Sequence, residues 1–138
     1  MGLSLEAKNM TLSFDIGYCR FMTFRSDLVE ICYGKEMREI YEKQKLNESD
    51  IAFWNERCDD DLDLFFLHSD CDGKLTPKEC RKIFNKIKML SMNDMASERF
   101  SSEKAPDGTY IYKTYNMLER LKEILLFCAK RRVNLYFI

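Results

Sequence analysis

Between His68 and Glu79 the chain reads HSDCDGKLTPKE, where metal-ligating and proton-carrying side chains gather at regular spacing. Asp70, Asp72 and Glu79 are hard oxygen donors, Thr76 adds a hydroxyl, Lys74 adds a backbone carbonyl, and Gly73 permits a sharp bend among them. Such a set can hold a divalent cation. The same residues can also do simpler work. Thr76, Pro77 and Glu79 form a capping box with proline at the first helical position, and Asp70 or Asp72 can accept from nearby amides in a turn. Zinc is a further candidate, because Cys58, His68, Cys71 and Cys80 are zinc-type ligands and His68 and Cys71 have a two-residue spacer. An enzyme would have to use His68, the sole histidine, with Asp70 or Cys71. No GxSxG, P-loop, dinucleotide glycine motif or HExxH occurs.

The surrounding periodicities predict what positions these groups. Residues 2–6 and 10–14 alternate apolar and polar, as short strands do, and the terminal VNLYFI is strand-like as well. A small sheet joining the two termini is expected. Phe21, Phe24, Leu28 and Ile31, with Met22 and Cys32 beside them, predict an amphipathic helix from Tyr18, capped by Asp15 or Ser13 and stopped at Gly34. A second helix turns Met37, Ile40, Tyr41 and Gln44 inward and ends near Asn47.

A third helix is capped within residues 47–50, and Ile51, Trp54, Cys58, Leu62 and Phe65 hold one face as far as the acidic turn. Asp59, Asp60, Asp61 and Asp63 read as its solvated flank. The exit helix begins at Pro77 with Cys80, Ile83, Phe84, Ile87 and Leu90 inward and a lysine-rich outer face. Residues 55–73 sum to −6 and residues 74–88 to +5, so the two helices flanking the turn are expected side by side. Residues 91–108 read as a long surface loop with one helical turn near 93–100. A last helix over 111–132 carries the stripe Tyr115, Leu118, Leu121, Leu125 and Cys128, widened by Met117 and Ile124.

Residues 58–88 resemble an EF-hand, a calcium-binding helix-loop-helix with ligands at alternating positions around a glycine. With Gly73 sixth in the loop, Asp70 and Asp72 fall third and fifth, the Lys74 carbonyl seventh, Leu75 eighth, Thr76 ninth and Glu79 twelfth. The resemblance implies calcium as cofactor through Asp70, Asp72, Lys74, Thr76 and Glu79. His68 departs from it, because the family places aspartate first and imidazole is a soft donor for a hard cation. EF-hands normally pair, and no second loop is visible. Calcium affinity at the weak end, ~10⁻⁴ M or poorer, is what such a loop implies. The opening MGL, the FDIGY segment, HSDCDG and CAKRRVNLYF also resemble small bacterial and phage proteins without an assigned activity. That likeness implies a bacterial setting.

Composition bounds the rest. The 138 residues, 46% hydrophobic and 13% aromatic, suffice for one domain spanning 1–138 with a packed core. A net charge of −1 does not suit a general nucleic-acid binder, and no apolar run approaches the ~20 residues of a membrane span. The start lacks a signal-peptide pattern, and six cysteines without a CxxC pair read as small apolar residues of a reducing compartment. The expected protein is cytoplasmic, α+β and predominantly helical, with about five helices and a small sheet formed by the N- and C-terminal strands. It binds neither membrane nor nucleic acid. The expected function is non-enzymatic binding of an unidentified protein partner, with the oligomeric state left open and the helix-loop-helix structural or weakly calcium-binding. The alternative is an enzyme or zinc protein using His68 with Asp70 or Cys71.

Overall fold

A computed structural model describes residues 2–8, 13–69, 72–97, 100, 103–112 and 115–138. Its architecture is α+β and mainly helical, with a small antiparallel sheet built from both ends of the chain. Strand β1 (Gly2–Ala7) pairs with β2 (Ser13–Gly17), Leu5 opposite Phe14, and on its other edge with β6 (Leu135–Phe137), Leu5 opposite Phe137. Of the strand expected at 10–14, Ser13 and Phe14 fall in β2, which runs on to Gly17, and residues 9–12 lie outside the described residues. A short strand β3 (Lys74–Leu75) adds to β6, giving the order β2-β1-β6-β3. Leu5, Ala7, Leu75, Leu135 and Phe137 are all buried, so the alternation puts one face of this sheet into the core.

Helix α1 (Tyr18–Tyr33) follows β2 directly. Its N-cap is Gly17, without a side-chain cap, rather than Asp15 or Ser13, because both of those belong to β2. Gly34, at φ 101°, ends it and opens α2 (Lys35–Glu42), which stops five residues short of the predicted Asn47. Phe21, Phe24, Leu28, Met37 and Ile40 are buried as their spacing predicts, whereas Met22 is 57% exposed and Gln44 faces solvent. Arg25, Ser26, Asp27 and Glu30 are buried too, which the periodicity of α1 does not reveal.

The predicted third helix is broken into α3 (Glu48–Arg57) and α4 (Asp60–Phe66). The break falls at Cys58 and Asp59, both extended, because the Asp59 carboxylate accepts from the amides of Asp61 and Leu62 and starts a new helix. The Tyr33 hydroxyl occupies the gap, accepting from the Asp59 amide at 2.9 Å. Helix α5 (Pro77–Ile87) packs against α4 and along α7 (Tyr115–Arg131), and Cys80, Ile83 and Ile87 meet Leu118, Leu121, Leu125 and Cys128 in the core. The expected opposition of charge appears across α4 and α5 as an ion pair between Lys86 and Asp59 at 2.9 Å. Residues 91–108 hold more order than a loop: α6 (Met92–Met95) buries Met95, and β4 (Glu103–Lys104) pairs with β5 (Tyr110–Ile111) around Gly108 at φ 91°. The break in the third helix and α6 bring the helices to seven among the described residues.

Candidate functional site

The helix-loop-helix corner is built as the capping pattern requires. Thr76 Oγ1 accepts from the Glu79 amide at 3.2 Å, and Glu79 Oε1 accepts from the Thr76 amide at 2.9 Å, closing the box at the start of α5. Asp72 Oδ1 accepts from the Gly73 amide at 2.8 Å. Gly73 stands at φ +89°, in the left-handed region, with space for a Cβ limited by His68 Cε1 at 3.3 Å.

His68 turns its ring toward the backbone. Nδ1 lies 2.8 Å from the Ser69 carbonyl oxygen and Nε2 lies 3.1 Å from that of Lys74. A neutral imidazole donates to one of these carbonyls, and the imidazolium donates to both. The ring also stacks on Phe137 at 4.0 Å between centroids, and the Phe137 amide donates to the Gly73 carbonyl at 3.0 Å. With Leu75 paired to Leu135, the sheet's terminal strand β6 is the loop's strand partner within the chain.

Arg25 secures the corner from below. Its Nη1 donates to the carbonyls of Phe65 at 2.8 Å and His68 at 2.7 Å, where α4 ends, and its guanidinium lies 4.8 Å from the centre of the Phe21 ring. A cation at a helix C-terminus also complements the negative end of the helix dipole. Farther along α1, Asp27 is 1% exposed and accepts from Arg38 Nη1 at 2.6 Å and from the Tyr112 hydroxyl. Burial raises the Asp27 pKa above the usual carboxylate range, and Tyr112 and Arg38 oppose that shift.

The described donors do not form a calcium cage as placed. Glu79 and Thr76 are turned to each other, Asp72 to Gly73, and the Lys74 carbonyl to the His68 ring. Among the described residues no three His, Cys, Asp or Glu side chains group so as to hold a metal ion. Asp70 and Cys71 lie outside the described residues. Of the zinc-type set, Cys80 is buried against Cys128 and Cys58 sits at the end of α3 beside Tyr33. Burial pushes the Cys58 thiol up to about 12 and the Cys32 thiol to about 11, so neither is a ready thiolate nucleophile. Both ring nitrogens of His68 face carbonyls, which leaves no nitrogen aimed outward for proton transfer in this arrangement.

A second feature emerges only from the tertiary packing. Leu46, Ile51 and Leu67 are 47%, 49% and 63% exposed, yet all three edge one groove of about 280 Å³ between α2, α3 and the end of α4. Ile40, Tyr41, Trp54 and Asn55 complete it. Its aromatic wall is held by stacking and hydrogen bonds. Tyr41 stacks on Trp54 at 5.8 Å and donates to the Phe66 carbonyl at 2.7 Å, while Trp54 Nε1 donates to Asp63 at 3.1 Å. The acidic run is thus not merely a solvated flank: Asp59 caps α4 and Asp63 orients Trp54. A larger hollow of about 630 Å³ lies along α1 and α2, but its Arg38 and Lys43 are already paired with Asp27, Glu42 and Asp50.

Ile51, expected inward, lies in the first turn of α3 and is half exposed, while Trp54 on the same helix is buried. The sequence signal that could have found the break is Asp59 itself, an aspartate two and three residues ahead of amides it can cap. No helix among the described residues is long and apolar enough to cross a membrane. Compared with known proteins, the chain matches no protein-family model, no curated protein and no solved structure.

Proposed function

We propose that this chain is a non-enzymatic cytoplasmic binding protein whose helix-loop-helix corner is structural and whose apolar groove beside Trp54 receives a protein partner. The observation that carries the reading is the convergence of Leu46, Ile51 and Leu67, three exposed apolar side chains, on one groove. Apolar side chains scattered singly over a surface are ordinary, whereas these three gather on one rim.

The likeness to an EF-hand enters this reading as a likeness of form. Glu79 Oε1 already accepts from the Thr76 amide, and the Lys74 carbonyl already meets the His68 ring. The corner instead ties α4, α5 and the terminal strand into one junction through Gly73, His68 and Phe137.

Two measurements test the proposal. Amide NMR shifts at Asp72 and Gly73 are expected to stay fixed through millimolar calcium, and saturable shifts there would overturn the structural reading of the corner. Leu67→Ser is expected to change folding stability by less than about 0.5 kcal/mol, as for a surface site outside the core. A loss above about 1.5 kcal/mol would make Leu67 a core residue and remove the groove's edge.

A further inference from the structure

We infer that the groove seats a basic peptide segment of a partner protein, with bulky apolar anchors entering beside Trp54 and lysines or arginines meeting a carboxylate rim. This rests on the reading of the groove as a binding surface and adds the chemistry of what it binds. The argument is charge complementarity. Residues 35–67, which build the groove, carry ten carboxylates against five basic residues, a net −5, while the chain as a whole is only −1.

The local ion pairs leave that excess unspent. Arg38 is held by Asp27 and Glu42, Lys43 by Asp50, and Arg57 lies over the Phe53 ring at 4.1 Å. Glu36, Glu39, Glu48, Glu56, Asp60 and Asp61 form no ion pair among the described residues. Helical spacing puts two of them along the groove. Glu48 is three residues before Ile51 on α3, and Glu36 is four before Ile40 on α2, so each shares the stripe of a groove-lining side chain. Lys35, Lys45 and Arg57 are the three cations of this region without an ion pair among the described residues, against six such carboxylates. An apolar floor with an acidic rim matches a partner whose apolar anchors are flanked by positive charge, which the rim would steer and register.

Trp54 is the sole tryptophan and borders the groove, so its emission reports occupancy directly. The full chain is titrated with a short synthetic peptide carrying leucine anchors among lysines, and with its counterpart in which glutamate replaces every lysine. The lysine peptide is expected to shift Trp54 emission saturably, and the glutamate peptide to bind at least about tenfold more weakly, the gap narrowing with salt. Ile51→Ser, at an exposed position that should not impair folding, is expected to weaken the lysine peptide about tenfold, and the pair Glu36→Lys with Glu48→Lys to weaken it comparably while sparing the glutamate peptide. Equal or tighter binding of the glutamate peptide overturns the basic partner but leaves a docking groove. Self-association that Ile51→Ser abolishes assigns the groove to a second copy and likewise overturns it. Silence from both peptides, with no self-association, overturns the partner class and the binding reading together, whatever the calcium result at the corner.

Discussion

Arg25→Met isolates the contact on which the corner's geometry depends. Arg25 is 8% exposed, and its Nη1 satisfies the carbonyls of Phe65 and His68 at 2.8 and 2.7 Å. The Phe65 carbonyl also accepts from the His68 amide at 3.3 Å, so its loss would be partial, while the His68 carbonyl would lose a charge-assisted bond. Hydrogen bonds to a charged donor contribute about 1.5–3 kcal/mol each, and methionine keeps an apolar stem while removing the guanidinium from above the Phe21 ring. Taking the low end for each bond gives an expected loss of about 3 kcal/mol, a large share of the 5–15 kcal/mol typical of a domain. Arg25→Lys keeps the charge without the planar fork and should lose about half as much. Urea unfolding reads the change as a lower midpoint at constant slope, and hydrogen exchange should quicken first at His68 and Ser69. A loss below about 1 kcal/mol for Arg25→Met, or unchanged exchange at the corner, would refute the role assigned to this guanidinium.

Three other perturbations probe the same frame. Gly73→Ala forces a Cβ into the left-handed region and toward His68, and should cost about 1–2 kcal/mol in denaturant unfolding while loosening the stack on Phe137; a neutral change would contradict the φ of +89°. Tyr112→Phe removes one donor from the buried Asp27 carboxylate and should cost about 1.5–3 kcal/mol, read by thermal or urea unfolding, with Arg38 left as its remaining charged donor. Asp59→Asn tests linkage: the Lys86 ammonium holds the Asp59 pKa below the usual range, followed by the Leu62 and Asp61 amides against a burial contribution. A carboxylate with a depressed folded pKa contributes stability above its unfolded pKa of about 4 and loses it as pH falls through the folded value. Wild type should therefore exceed Asp59→Asn in stability at pH 7, and the two unfolding curves should converge in strong acid; a gap that widened on acidification would reverse the assigned sign.

The sequence by itself determined the helical periods, the terminal strands and the capping box, because each follows from neighbours within a turn or a pleat. Thr76 and Glu79 need only three residues of helical geometry to find each other, and Leu118, Leu121, Leu125 and Cys128 need only the helical repeat. Gly73 and Gly34 were readable for the same reason, since the bend each permits is local.

Contacts distant in sequence were decided by the tertiary structure. Arg25 and Asp27 look like solvent-facing positions until Phe65, His68, Arg38 and Tyr112 arrive from elsewhere in the chain to satisfy them. The pairing of β3 with β6 accompanies the stacking of His68 on Phe137, a contact across 69 positions of sequence that local spacing does not encode. The groove depends on how three elements meet: α2 supplies Ile40 and Tyr41, α3 supplies Ile51 and Trp54, and the helix restarted at Asp59 ends at Leu67 on the same edge. Burial and exposure of that kind are properties of assembled surfaces, which local spacing does not encode.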